Sequence, residues 1–309
     1  MKSRAIILIS AASGALAAVL VLTILGFADR KEPGAEANLH YSRQIAEKYR
    51  VFSLPLPEKA SFAGEEVPMN EWDVRERMDR ELLVNTYWQS NTLLAIKRAQ
   101  RWFPVIEPIL SKYEVPDDFK YLAVVESGLT MAVSPSGATG FWQFLEATGK
   151  EYELEVNEEV DERYHVEKST EAACRYLLEA YNRFGSWTMA AASYNIGQAG
   201  LERQLGRQQA ADYWNLLLNE ETSRYVFRIL AVKEILSRPD QFGFVVRPVD
   251  LYEPLTSREM VIDSAVPDFA VWAKDQGISY KTLKLYNPWL RLNYLRNKER
   301  RQYTIRLPA

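Results

Sequence analysis

Residues 121–130 read YLAVVESGLT, and the single carboxylate in that stretch, Glu126, falls where a helical period asks for an apolar side chain. Pro116, Asp117 and Asp118 mark a helix start, because proline suits a first turn and acidic groups favour its partly positive end. Counting from Phe119, the apolar face runs through Leu122 and Ala123 to Glu126, so the carboxyl is expected to point inward. A carboxyl desolvated in this way keeps its proton to higher pH. It can then serve as a general acid, for example toward the oxygen of a glycosidic bond. The common glycosidase arrangement adds a second carboxylate, and none is obvious close by. From periodicity alone, a structural pair or a carboxylate surfacing near Gly128 explains Glu126 equally well.

Residues 134–144, SPSGATGFWQF, follow the acid. Gly137 and Gly140 permit tight turns, while Trp142 and Gln143 offer a stacking face and an amide, groups suited to a sugar. Standing alone, the stretch also reads as an ordinary loop leading into a helix at Phe141. Trp187, Ala190, Ala191 and Tyr194 share one helix face, and Asn195 sits at the exit beside Gly197.

These residues need a scaffold. Residues 74–237 are helical in pattern almost throughout, with breaks expected at Pro104, Pro116, residues 134–140, Gly185 and Pro239. A helix is expected over residues 170–184, begun by Ser169 or Thr170, and a last long one over 221–236. Beyond Phe244 the character changes. Residues 244–246, 260–262 and 303–307 look like short strands, with helical pattern over 266–289, so a small β-α-α-β module is expected. The fold class is therefore mainly α, with a small α+β C-terminal piece.

With 47% hydrophobic residues among 309, the chain can build a sizeable core. A net charge of −3 supplies no field for a phosphate backbone, and nucleic acid is not an expected partner. The sole cysteine, Cys174, excludes an internal disulfide and reads as a helix core position. His40 and His165 stand apart without metal-ligand spacing, so neither a metal nor a cofactor is expected. After Lys2 and Arg4, residues 5–28 are uncharged and apolar, about the ~20 residues needed to cross a bilayer. That exceeds the apolar core of about 7–15 residues in a signal peptide, which favours a retained anchor over cleavage near Gly26-Phe27-Ala28. The body is expected to be exported and membrane-associated, on the periplasmic side of the envelope, behind a polar, proline-dotted spacer at 29–73.

Glu126-Ser127, Gly140-Phe141-Trp142-Gln143, residues 192–197 (ASYNIG) and residues 221–226 (ETSRYV) occur in the order and approximate spacing of the family 1 lytic transglycosylases, which the chain resembles. In layout it looks most like their membrane-bound lytic murein transglycosylase D group. The resemblance implies a goose-type-lysozyme-like helical domain, here residues 74–240. It also implies cleavage of the β-1,4 bond between N-acetylmuramic acid and N-acetylglucosamine in peptidoglycan. Glu126 matches the single catalytic acid/base of that family. There the 6-hydroxyl of the muramic acid attacks its own C1, so no water-activating partner is needed. Ser127, Ser134, Gln143, Tyr194, Asn195 and Glu221 match residues that line the sugar groove or support the acid, and Tyr225 is a further candidate. Phe141 and Trp142 depart from the leucine and methionine commoner in other branches.

After a linker at 241–260, residues 261–309 resemble a divergent LysM module, with Asp263-Ser264-Ala265-Val266 replacing the usual glycine-aspartate-threonine turn. Lys281, Lys284, Arg291, Arg296, Lys298, Arg300 and Arg301 make it basic, which suits anionic wall polymers or a solvated face. The module is expected to localise the protein. The acidic run at 151–162 reads as solvated surface. Two alternatives remain from sequence: a lysozyme-like hydrolase using the same groove, and a non-catalytic wall-binding scaffold.

Overall fold

Two strands and a chain reversal precede the first helix. β1 (Ala60–Phe62) and β2 (Glu65–Val67) pair antiparallel and bury Phe62 and Val67. The computed structural model describes residues 51–309 and Leu39. The expected membrane segment at 5–28, most of the spacer and His40 lie outside the described residues. The chain divides into two units, Met1–Ser53 and Leu54–Ala309; β1, β2 and every helix and strand that follows them belong to the second. Among the described residues no helix is long and apolar enough to cross a membrane.

Helices α1 (Trp72–Tyr87) and α2 (Gln89–Lys112) come next. α2 runs through Pro104 and Pro108, where sequence reading places a break at Pro104. A proline inside a helix removes a donor and crowds the preceding turn, a cost of about 3 kcal/mol. Ile106 and Leu110 beyond it are fully buried and keep the last turns seated on the core.

A one-turn 3-10 helix (Asp117–Phe119) leads into α3 (Lys120–Ser127), as the Pro-Asp-Asp start predicts. α3 stops at Gly128, whose φ of 61° is the left-handed conformation that closes a helix. A short α4 (Glu146–Glu151) precedes α5 (Val166–Phe184), which begins a turn earlier than Ser169. Ser169 and Thr170 are buried inside it and bond back to the Val166 carbonyl. Cys174 is fully buried on the same helix, and burial pushes its thiol up to about 12, leaving it inert.

α6 (Trp187–Ile196) and α7 (Gln198–Gln208) are separated at Gly197, and α8 (Glu220–Ser237) closes the helical body. Ser186 caps α6 through Met189 N. Glu65 adds a second cap, its carboxylate accepting from the backbone of Trp187 at 2.6 Å and Thr188 at 3.0 Å. The end of the stretch expected to be a spacer thus holds α6 in place.

The C-terminal piece is the expected β-α-α-β unit: β3 (Ser257–Ile262), α9 (Phe269–Asp275), α10 (Tyr280–Tyr286) and β4 (Tyr303–Pro308), with β3 and β4 antiparallel. No strand forms at 244–246. The fully buried Asn287 stitches α10 to β4: its amide donates to the carbonyls of Leu283 and Arg306, and its oxygen accepts from Arg306 N.

This module carries its own core of Phe269, Leu283, Trp289, Ile305 and Leu307, and that core also takes in Val160 and Tyr164 of the helical body. Val160 bridges to Leu290 in strand fashion, and Asp161 N donates to Trp289 O at 2.9 Å. Around this seam Glu159 pairs with Arg296, Glu155 with Arg301 at 3.2 Å, and Glu167 with Arg306. The acidic run is therefore a docking surface in large part, and two of the module's cations, Arg296 and Arg301, are engaged by it. The expectation of a solvated acidic surface is corrected accordingly.

Candidate active site

Glu126 lies on the last turn of α3, half-buried, with Phe119, Leu122 and Ala123 of its helical stripe fully buried beneath. Its Oε1 accepts a hydrogen bond from the hydroxyl of Tyr225, a buried residue on α8. Burial raises the Glu126 carboxyl to about 7; the Tyr225 bond pulls it down, the charge of Glu221 raises it and the Arg228 guanidinium lowers it. Desolvation outweighs the rest, so the acid titrates near neutrality.

Glu221 is exposed on the first turn of α8, one turn before Tyr225, so both present to the same side of that helix. Asn195, at the end of α6, donates to Glu221 Oε1 at 3.4 Å and accepts from the hydroxyl of Thr222 at 2.8 Å. Tyr194, its neighbour, donates to the carbonyl of Trp142 at 2.8 Å. Burial, then the nearby Glu126 charge, raises the hydroxyls of Tyr194 and Tyr225 well above the phenol range, so both stay protonated as donors.

The loop after Gly128 packs beside these residues, bonding Ser127 and Tyr194 through its carbonyls. Gly140, at φ 81°, approaches the backbone so closely that a Cβ there would sit 2.0 Å from the carbonyl oxygen of Arg163. Gln143 adopts φ 51°, unusual for a residue with a side chain, and its amide donates to Gly140 O at 2.8 Å and Ala132 O at 3.0 Å. Phe141 and Trp142 are buried: Phe141 meets Trp102 edge-on at 5.0 Å, and the Trp142 indole donates to Thr170 Oγ1 at 2.9 Å.

Of the residues singled out in the sequence, Glu126, Tyr194, Asn195, Glu221 and Tyr225 converge by bond or by charge. Ser127 faces inward, donating to Ala123 O and to Phe141 O at 3.0 Å, and so ties the acid's helix to the loop. Ser134 closes its own turn by accepting from Ala138 N at 3.0 Å and has no bond to that cluster. Trp142 presents no stacking face to solvent, because its ring is fully buried.

Sequence reading misses Arg228 and Arg163. Arg228 and Arg224 lie one turn apart on α8 and face the buried Glu81 of α1, Arg224 at 2.6 Å and Arg228 at 3.9 Å. Their spacing on one helix is visible in sequence, but the carboxylate they serve is not. Among the described residues no cluster of histidine, cysteine, aspartate or glutamate could hold a metal ion.

An inward helical carboxyl clasped by a tyrosine thus sits in a helical domain that a separate β-α-α-β unit follows. Residues 104–217 match the sequence model of the Transglycosylase SLT domain, and residues 258–309 match the Soluble lytic transglycosylase C-terminal LysM-like domain. The chain thus carries an SLT domain followed by a LysM-like domain. It is similar to the Membrane-bound lytic murein transglycosylase D of Escherichia coli strain K12, 30% identical over 236 residues, which cover 74% of this chain and 51% of that protein. The same figures hold for its counterpart in Escherichia coli O6:H1. The chain is thus similar to lytic transglycosylases through its SLT and LysM-like domains. It spans about half the length of the curated relatives it matches. Glu221 and Tyr225 lie beyond the SLT match, on the helix that follows.

Proposed function

We propose that the protein is an exported, membrane-associated lytic transglycosylase of peptidoglycan, anchored through residues 5–28 and working without metal or cofactor. The observation that carries this reading is the Glu126 carboxyl, desolvated to a value near 7 and clasped by Tyr225. At neutral pH a substantial fraction is protonated and can pass its proton to the glycosidic oxygen as the C1–O4 bond between N-acetylmuramic acid and N-acetylglucosamine breaks. The resulting carboxylate then takes the proton of the muramic acid 6-hydroxyl as that oxygen bonds to C1. Atoms balance without water: one bond opens, one ring closes, and the acid regains its proton.

Tyr225 steadies the carboxylate between the two steps. In this reading Asn195 and Glu221 meet the sugar, while Tyr194, Ser127, Ser134 and Gln143 shape the loop beside it. A hydrolase reading would require a second carboxylate to direct water. Glu221 is the residue available for that, but it is exposed and engaged by Asn195.

The test is Glu126→Gln assayed on purified peptidoglycan. The amide keeps the shape and cannot deliver a proton, so turnover should fall at least ~10²–10⁴-fold with the fold intact. Wild-type turnover by a folded Glu126→Gln protein sinks the assignment.

A further inference from the structure

Arg163 is a nearly buried cation that the proposed reaction does not use. It forms a two-point pair with Asp161, Nε to Oδ1 at 2.9 Å and Nη2 to Oδ2 at 2.7 Å. Its remaining guanidinium nitrogen reaches across to the loop beside Glu126, donating to the carbonyls of Gly137 at 3.1 Å and Phe144 at 3.2 Å. Its own carbonyl packs against Gly140 so tightly that no side chain fits between them. Arg163 therefore grips both ends of residues 137–144 and their middle. That loop in turn supplies Phe141 O to Ser127, next to the acid, and Trp142 O to Tyr194.

On its other side, the segment carrying Arg163 is held by the C-terminal module. Asp161 N bonds to Trp289 O, Arg291 N to Glu159 O at 2.8 Å, Val160 is buried against Leu290, and the Arg291 guanidinium lies 3.9 Å above the Tyr164 ring. A continuous set of contacts thus runs from the module through residues 159–164 and the Arg163 side chain to the loop that bonds Ser127, next to Glu126.

We propose that Arg163 is a positioning residue for the reaction, and that the C-terminal module acts through it to hold the active-site loop in register with Glu126. The module is then a working part of the catalytic site as well as any wall-binding device. A lysine could satisfy Asp161 or the loop carbonyls but lacks the planar fork that meets both. A misplacement of about 1 Å at a site of this kind can cost ~10²-fold in rate. This inference rests on Glu126 being the acid.

The experiment uses the full chain with short soluble murein glycans, which removes sacculus binding from the readout. Arg163→Met, Arg163→Lys and Leu290→Asp are compared with the parent well below each melting temperature. Arg163→Met should lower kcat ~10–100-fold with KM changed less than about threefold. Arg163→Lys should recover part of that loss, and it carries the test if the methionine variant does not fold. Water admitted to a loosened loop should also move the alkaline limb of the pH–rate profile to lower pH.

Leu290→Asp, which breaks docking from the module side, should lower kcat in the same way and combine with Arg163→Met less than additively. A lowered melting temperature with parental kcat and pH profile in the folded Arg163 variants overturns the positioning role. Parental kcat in Leu290→Asp, or additive losses in the double variant, overturns the link to the module. With Glu126→Gln inactive, either result defeats this proposal alone; an active Glu126→Gln defeats it together with the functional reading.

Discussion

In the proposed reaction Glu126 is neutral when it meets the substrate and charged a moment later, and its surroundings are divided accordingly. Burial favours the neutral acid, while the Tyr225 hydroxyl and the Arg228 charge favour the carboxylate. In Tyr225→Phe the carboxyl loses the bond that lowers it, so the alkaline limb of kcat/KM should move to higher pH. Its maximum should fall ~10-fold or more, the worth of a hydrogen bond to a charged group. A pH–rate profile measures both. The same acid affects stability. Its folded value lies above the ordinary 4.5, at about 7, so the folded protein binds more protons between those values. The stabilisation from protonated Glu126 is full below the lower value and is lost as pH rises through the upper one. Glu126→Gln should abolish that dependence and leave the protein more stable than its parent at pH ~8, by up to roughly 3 kcal/mol, with little difference at pH ~4. Urea unfolding at the two pH values reads this directly.

The elements around the acid differ in how far the sequence announces them. α3 is legible from end to end, because Pro116, the paired aspartates and Gly128 are local signals that act within a few residues. The β-α-α-β order of the module is legible for the same reason. The Glu65 cap on α6 is not, since donor and acceptor lie 122 residues apart and nothing in either stretch names the other. Glu65→Ala should cost about 1–2 kcal/mol of stability, the worth of a helix cap, with α6 fraying first in hydrogen exchange. The loop at 134–144 is half legible. Its glycines announce turns, but only packing shows that Gly140 faces a carbonyl and that the Trp142 ring is structural. Gly140→Ala combines an unfavourable φ with a 2.0 Å clash and should destabilise by at least about 2 kcal/mol in thermal or denaturant melts.

For the molecule as a whole, like charges at 151–162 suggest solvation until the cations that answer them are found. Arg296 comes 137 residues after Glu159, beyond any local pattern. The seam also shows which forces matter. Ion pairs with an exposed partner, such as Arg301 with Glu155, are worth about 0–1 kcal/mol each. Full burial of Val160 contributes about 1.5–3 kcal/mol, and a carboxylate set into the same core would cost more still. Arg301→Ala should therefore leave exchange protection of β4 nearly unchanged, whereas Leu290→Asp should reduce it sharply.

The central claim concerns what captures the sugar once the bond has opened, and the product records that choice. Purified peptidoglycan should be digested with the full chain and its muropeptides weighed. If the muramic acid 6-hydroxyl closes onto C1 with Glu126 as the sole acid and base, the chains end in 1,6-anhydro-N-acetylmuramic acid, lighter by one water than hydrolytic ends. Reducing-end muramic acid as the main product, with anhydro ends absent, would contradict the transglycosylase reading and leave a hydrolase in its place.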